Sequence, residues 1–453
     1  MPRSRFTFYI LYFAFFIFSS CSVQKQISQS AKQDVLAAPV LQTAHVGISI
    51  YEPATGKYWF NYQGDHYFVP ASNTKIPTCY AAMKYLGDSL VGARIESIYN
   101  DSAIDLYPTA DPTFLHPDFK NQPLFRALKK YNKIEINYDG WKDKALGSGW
   151  AWNDFNESYM AERSAFPIYG NLVTFSFREN QFTVSADVEI QPDSFSDAVF
   201  GEDSIDRDFK TKKFSVERKL GENIFIISSS KSEFTTSAIP FITDEYFVAK
   251  LLYDTLKPSQ GAFGMVGTET FFNHLPHRGT PIHSQPTDSL LKPMMHRSDN
   301  FFAEQSLLMV SNERLGYMND AKIIDTLLKT DFKDLPQKPR WVDGSGLSRY
   351  NLFTPQDFVA ILNKMKNDFG MARVKNILAT GGEGTISSYF KTESGYIFAK
   401  TGTLSGVVAL SGFLYTKKGK LLIFSTLVNN HNGSATDVRR AMEKFLQNIR
   451  NKY

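Results

Sequence analysis

Two side chains near the start of this chain could form a nucleophile and its base. The stretch FVPASNTKIP contains Ser72 and, three residues later, Lys75, so in a helix the amine lies one turn from the hydroxyl. A serine hydroxyl becomes an effective nucleophile when a base at about 2.6–3.2 Å accepts its proton. A serine ahead of an apolar, Ala-rich run is also typical of a helix N-terminus, where its oxygen accepts from a free backbone N–H. The motif alone leaves both interpretations open.

Two further motifs lie downstream. HRSDNFFAE contains Ser298 and Asn300 directly before a predicted helix. FAKTGTLSG contains Lys400, Thr401 and Gly402 on a predicted strand. Ser-x-x-Lys, Ser-x-Asn and Lys-Thr-Gly are the set shared by penicillin-binding proteins and class A β-lactamases. Each motif alone has a structural explanation, namely a cap, a helix-start turn or a hairpin turn. The ordered set predicts nucleophilic catalysis by the serine of the first motif.

Each polar member of the set has a chemical role in that prediction. Lys75 can act as a base only when part of its amine is neutral, and burial together with a nearby cation, Lys400, would lower its pKa. Ser298 is expected to pass a proton between Lys75 and the leaving nitrogen. Asn300 is expected to hydrogen-bond Lys75 and a substrate amide. Which group is the acylation base is disputed for related enzymes.

The strand motif suits a substrate that ends in a carboxylate. Lys400 supplies positive charge and Thr401 a hydroxyl donor. Gly402 leaves space where the backbone of a ligand would lie beside the strand edge. The backbone N–H groups of Ser72 and Thr403 would then form an oxyanion hole for a tetrahedral intermediate.

Length and composition set broader limits. The 453 residues exceed what one core usually organises, so we expect two or three domains. With 43% hydrophobic and 21% charged residues, the composition is that of an ordinary globular protein. The formal net charge of +4 includes Arg3 and Arg5, which lie in a segment that we expect to be removed. Nucleic acid is therefore not an expected partner.

The N-terminus predicts export. Residues 1–20 combine a basic start with an apolar run of signal-peptide length, too short to span a bilayer comfortably. Small residues directly before Cys21 resemble a bacterial lipoprotein signal with lipid on the cysteine thiol, although Phe18 departs from the usual aliphatic residue. A plain signal peptide is the alternative. Both interpretations predict an exported, periplasmic protein, and the first adds a membrane anchor.

The polar stretch 21–38 lacks periodicity and is predicted to be a flexible tether. The only other cysteine, Cys79, has no disulfide partner if Cys21 carries lipid, and it is predicted to be a small buried apolar residue.

The remaining chain is predicted to be an α+β domain interrupted by a second region. HVGISIYEPATGKYWFNY alternates on both sides of an Ala-Thr-Gly turn, which predicts a β-hairpin leading to the Ser72 helix. Short aromatic and β-branched runs follow, and helical and then strand patterns return towards the end. We assign 39–94 to the first part of the core, 95–243 to a β-rich insertion and 244–453 to the second part of the core.

Four further stretches accompany the three motifs: VDGSGLSRYN, TADPTF, GWAWNDF and TGGEGT. With them, and with the long separation between the first two motifs, the chain resembles the serine-type D-alanyl-D-alanine carboxypeptidase/endopeptidase family, the low-molecular-mass class C penicillin-binding proteins. The resemblance implies a penicillin-binding, serine β-lactamase-like core with inserted domains and no cofactor. It also implies a periplasmic hydrolase that cleaves D-Ala-D-Ala termini or cross-links of peptidoglycan and that β-lactams inhibit covalently.

The same resemblance implies a substrate pocket. Family members recognise the free end of the stem peptide's diamino acid with an acidic residue and an arginine, which here are Asp154 and Arg349. Tyr159 would be an aromatic wall. A carboxylate for an ammonium and a guanidinium for a carboxylate is sensible pairing, and ordinary surface ions or a turn-fixing Asp are the alternative. Glu383 in TGGEGT receives no role.

Other functions are less favoured. A class A β-lactamase needs a carboxylate in a Glu-x-x-Leu-Asn loop, and the comparable stretch, VAILN at 359–363, has Val in place of Glu. A catalytically silent wall-binding lipoprotein could keep the same fold. His274, His277 and His283 lie close in sequence without a Cys or paired carboxylate, so no metal site is expected.

Overall fold

The computed structural model describes residues 25–98, 103–178, 187–191, 205–208, 215–228, 235–256, 265–269 and 277–453. Its helices are α1 Lys75–Tyr85, α2 Pro123–Leu128, α3 Glu245–Leu256, α4 Thr287–His296, α5 Asn300–Leu315, α6 Asp320–Lys329, α7 Pro355–Ile377 and α8 Ala435–Lys452. Its strands are β1 His45–Glu52, β2 Lys57–Tyr62, β3 Ser89–Ile98, β4 Ala103–Pro108, β5 Lys133–Asn137, β6 Leu172–Arg178, β7 Asp187–Gln191, β8 Ile205–Asp208, β9 Ser215–Arg218, β10 Phe225–Ser228, β11 Thr235–Pro240, β12 Met265–Glu269, β13 Thr280–Pro286, β14 Ala379–Thr380, β15 Ile397–Leu404, β16 Val407–Tyr415 and β17 Leu421–Asn429.

A six-stranded antiparallel sheet forms the centre of the core domain, in the order β14-β15-β16-β17-β1-β2. Successive side chains of a strand point to opposite faces of its sheet. On β17, Leu422 and Phe424 therefore pack with the closing helix α8, whereas Ile423 and Leu427 pack with α1, α5 and α7. Both faces are covered, and the Lys-Thr-Gly strand β15 lies next to the short edge strand β14.

The predicted hairpin and the α+β fold class are confirmed. Strands β1 and β2 pair antiparallel, and their turn contains Gly56 at φ 67°, a left-handed conformation that glycine adopts without strain. The Lys-Thr-Gly motif lies on β15, and the Ser-x-Asn motif ends at the first residue of α5. Strands and helices around one core thus come from both ends of the chain.

The inserted region has its own sheet and hydrophobic core. A five-stranded sheet has the order β12-β5-β4-β3-β13, and two three-stranded sheets have the orders β11-β6-β7 and β8-β10-β9. The side chains of Ile104 and Leu106 on β4 pack in one cluster with Phe247 and Leu251 of α3. This cluster is separate from those on the two faces of the central sheet.

The observed limits of this region differ from the predicted 95–243. Its sheet begins with β3 at Ser89 and ends with β13 at Pro286, and helix α3 packs on it rather than on the core domain. The sequence shows that α3 has an apolar face, but helical periodicity does not identify which core receives that face. The two predicted core segments, 39–94 and 244–453, change accordingly at their inner ends.

The predicted flexible tether also differs from the structure where it is described. Residues 25–31 are helical and continue into Lys32–Leu36, and Ile27, Ala31 and Val35 are buried in the cluster that contains α8. Apolar residues four positions apart lie on one face of a helix, and this spacing is the signal that the polar composition obscured. The segment is therefore part of the core domain.

The predicted signal peptide over 1–20 and Cys21 lie outside the described residues. Among the described helices, none has both the length and the apolar character that a membrane span requires. Cys79 is fully buried in α1 within the core cluster, in agreement with its predicted role.

Candidate active site

Ser72 lies in a short 3-10 helix, Ala71–Thr74, that leads directly into α1. Thr74 occupies the N-cap position of α1, and Ser72 makes no capping hydrogen bond with its side chain. Instead its Oγ accepts a hydrogen bond from Lys75 Nζ at 3.0 Å. The capping interpretation of this serine is therefore not supported, and the hydroxyl faces the amine one turn away.

The other partners of the Lys75 amine determine what it can do for Ser72. Nζ donates to Asn300 Oδ1 at 2.7 Å and to the backbone carbonyl of Ser345 at 2.8 Å. Both of these oxygens can only accept, so they take two N–H bonds whatever the charge of the amine. When Lys75 is neutral, its remaining direction carries the lone pair, and that direction faces Ser72 Oγ. The geometry is that of a base prepared to receive the serine proton.

Asn300 is held in one orientation by a second contact. It is the first residue of α5, whose N-cap Asp299 accepts from the Phe302 backbone N–H at 2.9 Å. Asn300 Nδ2 donates to the carbonyl of Tyr159 at 3.0 Å. Because that carbonyl cannot donate, the amide nitrogen must face Tyr159 and the amide oxygen must face Lys75.

Ser298 and Lys400 form a second serine–lysine pair. Lys400 Nζ donates to Ser298 Oγ at 2.8 Å and to the Thr401 carbonyl at 2.7 Å. The backbone of Ser298 has φ 65°, an uncommon left-handed conformation for a residue with a side chain. Such strain persists where surrounding structure fixes it, and functional sites are frequent examples.

The two lysines are both fully buried and both have lowered pKa values. Burial lowers the pKa of Lys75 to about 8, against the opposing effect of the negative charges of Asp343, Glu304 and Asp299. Burial, and then the nearby charge of Lys75, hold the pKa of Lys400 well below its usual value. A pKa of about 8 leaves roughly one Lys75 amine in ten neutral at pH 7. Burial is thus the main cause of the predicted activation of Lys75.

Strand β15 passes close to the backbone of Ser72. A Cβ atom on Gly402 would lie 2.6 Å from the carbonyl oxygen of Pro70 and 3.1 Å from the backbone nitrogen of Ser72. Only glycine permits this approach, which accounts for the third residue of the Lys-Thr-Gly motif. The neighbouring Thr401 hydrogen-bonds through Oγ1 to Oγ1 of Thr385 at 2.7 Å.

Comparison with known proteins identifies the family. A model of the D-Ala-D-Ala carboxypeptidase 3 (S13) family matches residues 28–449. The chain belongs to this S13 family.

Two curated relatives and one solved structure match this chain over most of its length. A D-alanyl-D-alanine carboxypeptidase DacB of Haemophilus influenzae is 24% identical over 87% of this chain and 87% of its own length. A D-alanyl-D-alanine carboxypeptidase of Actinomadura sp. (strain R39) is 26% identical over 88% of this chain and 80% of its own. The crystal structure of penicillin binding protein 4 (dacB) from Haemophilus influenzae superposes with a TM-score of 0.70 at 19% identity, covering 94% and 98% of the two chains. The fold is therefore that of a penicillin-binding serine hydrolase.

In this S13 chain the carbonyl that receives the Lys75 amine is positioned by a buried carboxylate. The Ser345 carbonyl and the Gly346 N–H belong to one peptide group, and that N–H donates to Asp343 Oδ1 at 2.9 Å. Gly346 has φ +84°, and a Cβ atom there would lie 1.9 Å from the Ala71 carbonyl oxygen. The Asp-Gly-Ser-Gly stretch therefore fits against the nucleophile turn only with glycine at this position.

Asp343 also organises the rest of its loop. Its carboxylate accepts from the Ser348 N–H at 2.6 Å, from Asn351 Nδ2 at 2.7 Å and from Trp150 Nε1 at 3.0 Å. The tryptophan belongs to GWAWNDF, so one carboxylate joins two of the family stretches. Neither Asp343 nor Ser345 was predicted from the sequence to have a function. An aspartate followed by glycines signals a tight loop, but not which amine the loop contacts.

A buried cluster of charged side chains also holds the Ser345 peptide segment in place. Glu304 Oε1 accepts from the Ser345 N–H at 2.7 Å, and Oε2 lies 3.5 Å from Arg163 Nη1. Arg163 also pairs with Asp320 at 2.6 Å and with Asp143 at 3.0 Å. Burial and the nearby Asp343 charge raise the pKa of Glu304 to about 8. This residue too was not identified from the sequence.

Three residues were expected to bind the stem peptide. Tyr159 and Arg349 lie next to the site, and Asp154 hydrogen-bonds Tyr159. Tyr159 gives its carbonyl to Asn300, and its side chain is 45% exposed. Burial, followed by a hydrogen bond to Asp154, raises the pKa of Tyr159 to about 12. Arg349 is exposed and its Nη2 donates to the Ser405 carbonyl at 3.0 Å, just beyond the end of β15.

The two histidines of the HLPHRGTPIH stretch that the structure describes, His277 and His283, make no hydrogen bond to the site residues. His274 lies outside the described residues. His283 shares a hydrogen bond between its Nδ1 and Ser89 Oγ at 2.8 Å, on the inserted region. Within the part of the chain that the structure describes, no group of three or more His, Cys, Asp or Glu side chains is arranged to hold a metal ion.

Proposed function

We propose that this S13 protein is a periplasmic serine D-Ala-D-Ala carboxypeptidase/endopeptidase that acts on peptidoglycan stem peptides or cross-links through an acyl-enzyme on Ser72. The observation that carries the proposal is the contact set of Lys75. Two acceptor-only oxygens hold its amine so that the third direction faces the Ser72 hydroxyl. The family membership supplies the reaction class.

In the first half of the reaction, Ser72 Oγ attacks the carbonyl carbon of the penultimate D-Ala while its proton moves to neutral Lys75. The carbonyl oxygen becomes an oxyanion that the N–H groups of Ser72 and Thr403 stabilise. The closeness of Gly402 to the Ser72 nitrogen supports this pairing of donors.

The second half regenerates the enzyme. The proton on Lys75 reaches the leaving nitrogen through Ser298. The C–N bond then breaks, and the terminal residue leaves as a free amine. Water then attacks the ester carbonyl, Lys75 accepts a proton from the water, and that proton returns to Ser72 Oγ as the acid is released. Contacts of Lys400 with Ser298 and of Lys75 with Ser72 support this use of two serine–lysine pairs.

Recognition of the substrate is assigned to the two sides of the site. Thr401 provides a hydroxyl for the terminal carboxylate, and Lys400, on the other face of β15, contributes positive charge. Asp154 and Arg349 bind the ammonium and the carboxylate at the free end of the diamino acid, and Tyr159 forms a wall between that end and the nucleophile. The contacts of Tyr159 with Asn300 and Asp154 support this placement.

A fluorescent penicillin tests the reaction. The wild-type chain is expected to gain one covalent label, and Ser72→Ala none, with the modified peptide identified by mass. Absence of label on the wild type would support a catalytically silent wall-binding protein, and equal label on Ser72→Ala would place the nucleophile elsewhere. Slow loss of the label is expected, because Val359, at the position where a class A β-lactamase would need Glu, is buried in α7. Rapid turnover would favour a β-lactamase.

The substrate and the location need separate tests. Incubation with stem pentapeptide and with cross-linked muropeptides, followed by mass analysis, distinguishes carboxypeptidase from endopeptidase action. We further propose that the exported protein is anchored by lipid on Cys21. In cells fed a labelled fatty acid, the wild type should incorporate label and Cys21→Ser should not, whereas label on neither would favour a plain signal peptide.

A further inference from the structure

The Lys-Thr-Gly strand presents two hydroxyl groups on one face. Side chains alternate along a strand, so Thr401 and Thr403 of β15 share a face that Lys400 does not. Positions two residues apart on a strand are separated by about 7 Å. At this separation the two hydroxyl groups can each donate a hydrogen bond to one oxygen of the same carboxylate. Thr401 is buried beside Thr385, and Thr403 is exposed at the outer end of the pair.

A guanidinium group from another element reaches this face. Arg439, near the start of α8, donates from Nη2 to Thr403 Oγ1. Its side chain is half-buried and has no ion pair with any carboxylate that the structure describes. The next residue, Arg440, pairs with Glu443 at 2.5 Å and also donates to the Ser388 carbonyl. Of these two neighbouring arginines, Arg439 therefore keeps its charge available beside the catalytic strand.

The direction of the hydrogen bonds favours an anion at this place. Because Arg439 donates to Thr403 Oγ1, the oxygen is used as an acceptor and the hydroxyl proton is free to donate outward. An anion oxygen that accepts from this hydroxyl lies within about 5 Å of Nη2, since two hydrogen bonds in series separate them. A small rotation of the long arginine side chain then gives direct contact.

Lys400 alone would compensate the negative charge of a bound carboxylate only in part. Its amine already donates to Ser298 Oγ and to the Thr401 carbonyl, and burial lowers its pKa well below the usual value. A guanidinium, in contrast, stays charged at every working pH and matches a carboxylate in shape. Arg439 has the charge that this part of the site requires.

We propose that Arg439 binds the terminal carboxylate of the substrate together with Thr401 and Thr403, and that it binds the carboxylate of a β-lactam in the same way. The inference rests on the proposed function and adds to it a residue from α8 that sets preference for a free carboxylate. A purely structural alternative is that Arg439 only joins α8 to β15.

Paired ligands with and without the charge separate these two possibilities. The first pair is a synthetic peptide ending in D-Ala-D-Ala and the same peptide with a C-terminal amide. The second pair is benzylpenicillin and its methyl ester, followed by the rate of Ser72 acylation. For Arg439→Ala we expect a loss of about tenfold or more in kcat/KM or acylation rate on the carboxylate forms, and little change on the amide and the ester.

Arg440→Ala is the matched control, because it removes the same charge from the adjacent position of the same helix. It is expected to stay within about twofold of the wild type on all four ligands, since a partly exposed charge at a distance contributes little. Arg439→Gln keeps a donor for Thr403 without the charge, so it should fold like the wild type and still lose the preference for carboxylates. Melting curves of each variant accompany the kinetics.

Equal losses on the charged and uncharged forms, or equal effects of Arg439→Ala and Arg440→Ala, would overturn the proposal. Retention of the carboxylate preference in Arg439→Gln would do the same. Failure of the proposed function is a different result, because then the wild type itself would neither be acylated by benzylpenicillin nor hydrolyse the peptide.

Discussion

The floor of the site and its rim differ in how far their polar groups are buried. The floor, formed by Lys75, Lys400 and the Ser345 carbonyl, is buried and its polar atoms are paired with protein. The proposed rim consists of Asp154, Tyr159, Arg349 and Arg439, whose side chains are exposed or half-buried. Burial shifts the pKa of an amine towards a useful value, whereas recognition requires groups that water and substrate can reach.

This contrast predicts that changes in the floor affect every substrate and that changes in the rim affect only some. Four experiments test the difference, in order of decreasing expected effect.

Lys75→Arg should cause the largest loss. Arginine keeps a positive charge and hydrogen-bond donors, but it does not deprotonate in a protein, so it cannot accept the Ser72 proton. We expect the acylation rate to fall about 10²- to 10⁴-fold for penicillins and peptides alike, as is usual for removal of a general base. Stopped-flow or quenched labelling measures the rate. An acylation rate near that of the wild type would show that another group is the base.

Gly402→Ala should give the next largest effect. The new Cβ would lie 2.6 Å from the Pro70 carbonyl oxygen, so β15 must move away from the nucleophile turn. A displacement of this kind is expected to cost about 10²-fold in acylation of any substrate. Gly419→Ala, in an open turn on the same sheet at φ +78°, is a control for backbone strain without a clash. Similar kinetics for the two variants would contradict the close approach described above.

The pH dependence of the acylation rate measures the pKa of Lys75 in the floor of the site. Burial lowers the pKa of Lys75 to about 8, and in the proposed mechanism Lys75 acts in its neutral form. The acylation rate should therefore increase with pH, by roughly tenfold between pH 7 and a plateau above the pKa. Arg439→Ala, a rim variant, should lower the rate for carboxylate ligands without moving the midpoint. A midpoint near the ordinary lysine value would mean that burial does not activate this amine.

Asp154→Ala should have the smallest and most selective effect. Its carboxylate is partly exposed, so its contribution to binding an ammonium is expected to be about fivefold. The loss should appear with stem peptides that carry the free diamino-acid end and not with acetylated peptides or penicillin. Equal losses with and without the free amine would remove Asp154 from the pocket and weaken the distinction between floor and rim.

Much of the floor could be predicted from sequence because its groups carry distinctive spacing. Ser72 and Lys75 are one helical turn apart, so local geometry alone brings hydroxyl and amine together. The α+β class followed from alternation on the strands and from three- and four-residue spacing on the helices. The ordered Ser-x-Asn and Lys-Thr-Gly motifs predicted Ser298, Asn300 and Lys400. Their positions in the sequence do not show which of these distant residues come into contact.

The remaining features depended on which surfaces pack together. The Ser345 carbonyl is a backbone atom, so no residue type in the sequence marks it as the partner of Lys75. Helix α3 and the segment 25–38 have apolar faces, but only the folded chain decides which core each face covers. Arg439 and Arg440 are indistinguishable as adjacent arginines until α8 lies against β15. The sequence determined which chemistry was possible, and tertiary packing decided which groups were buried, paired or left free, because burial and partners set the charge and the orientation of each group.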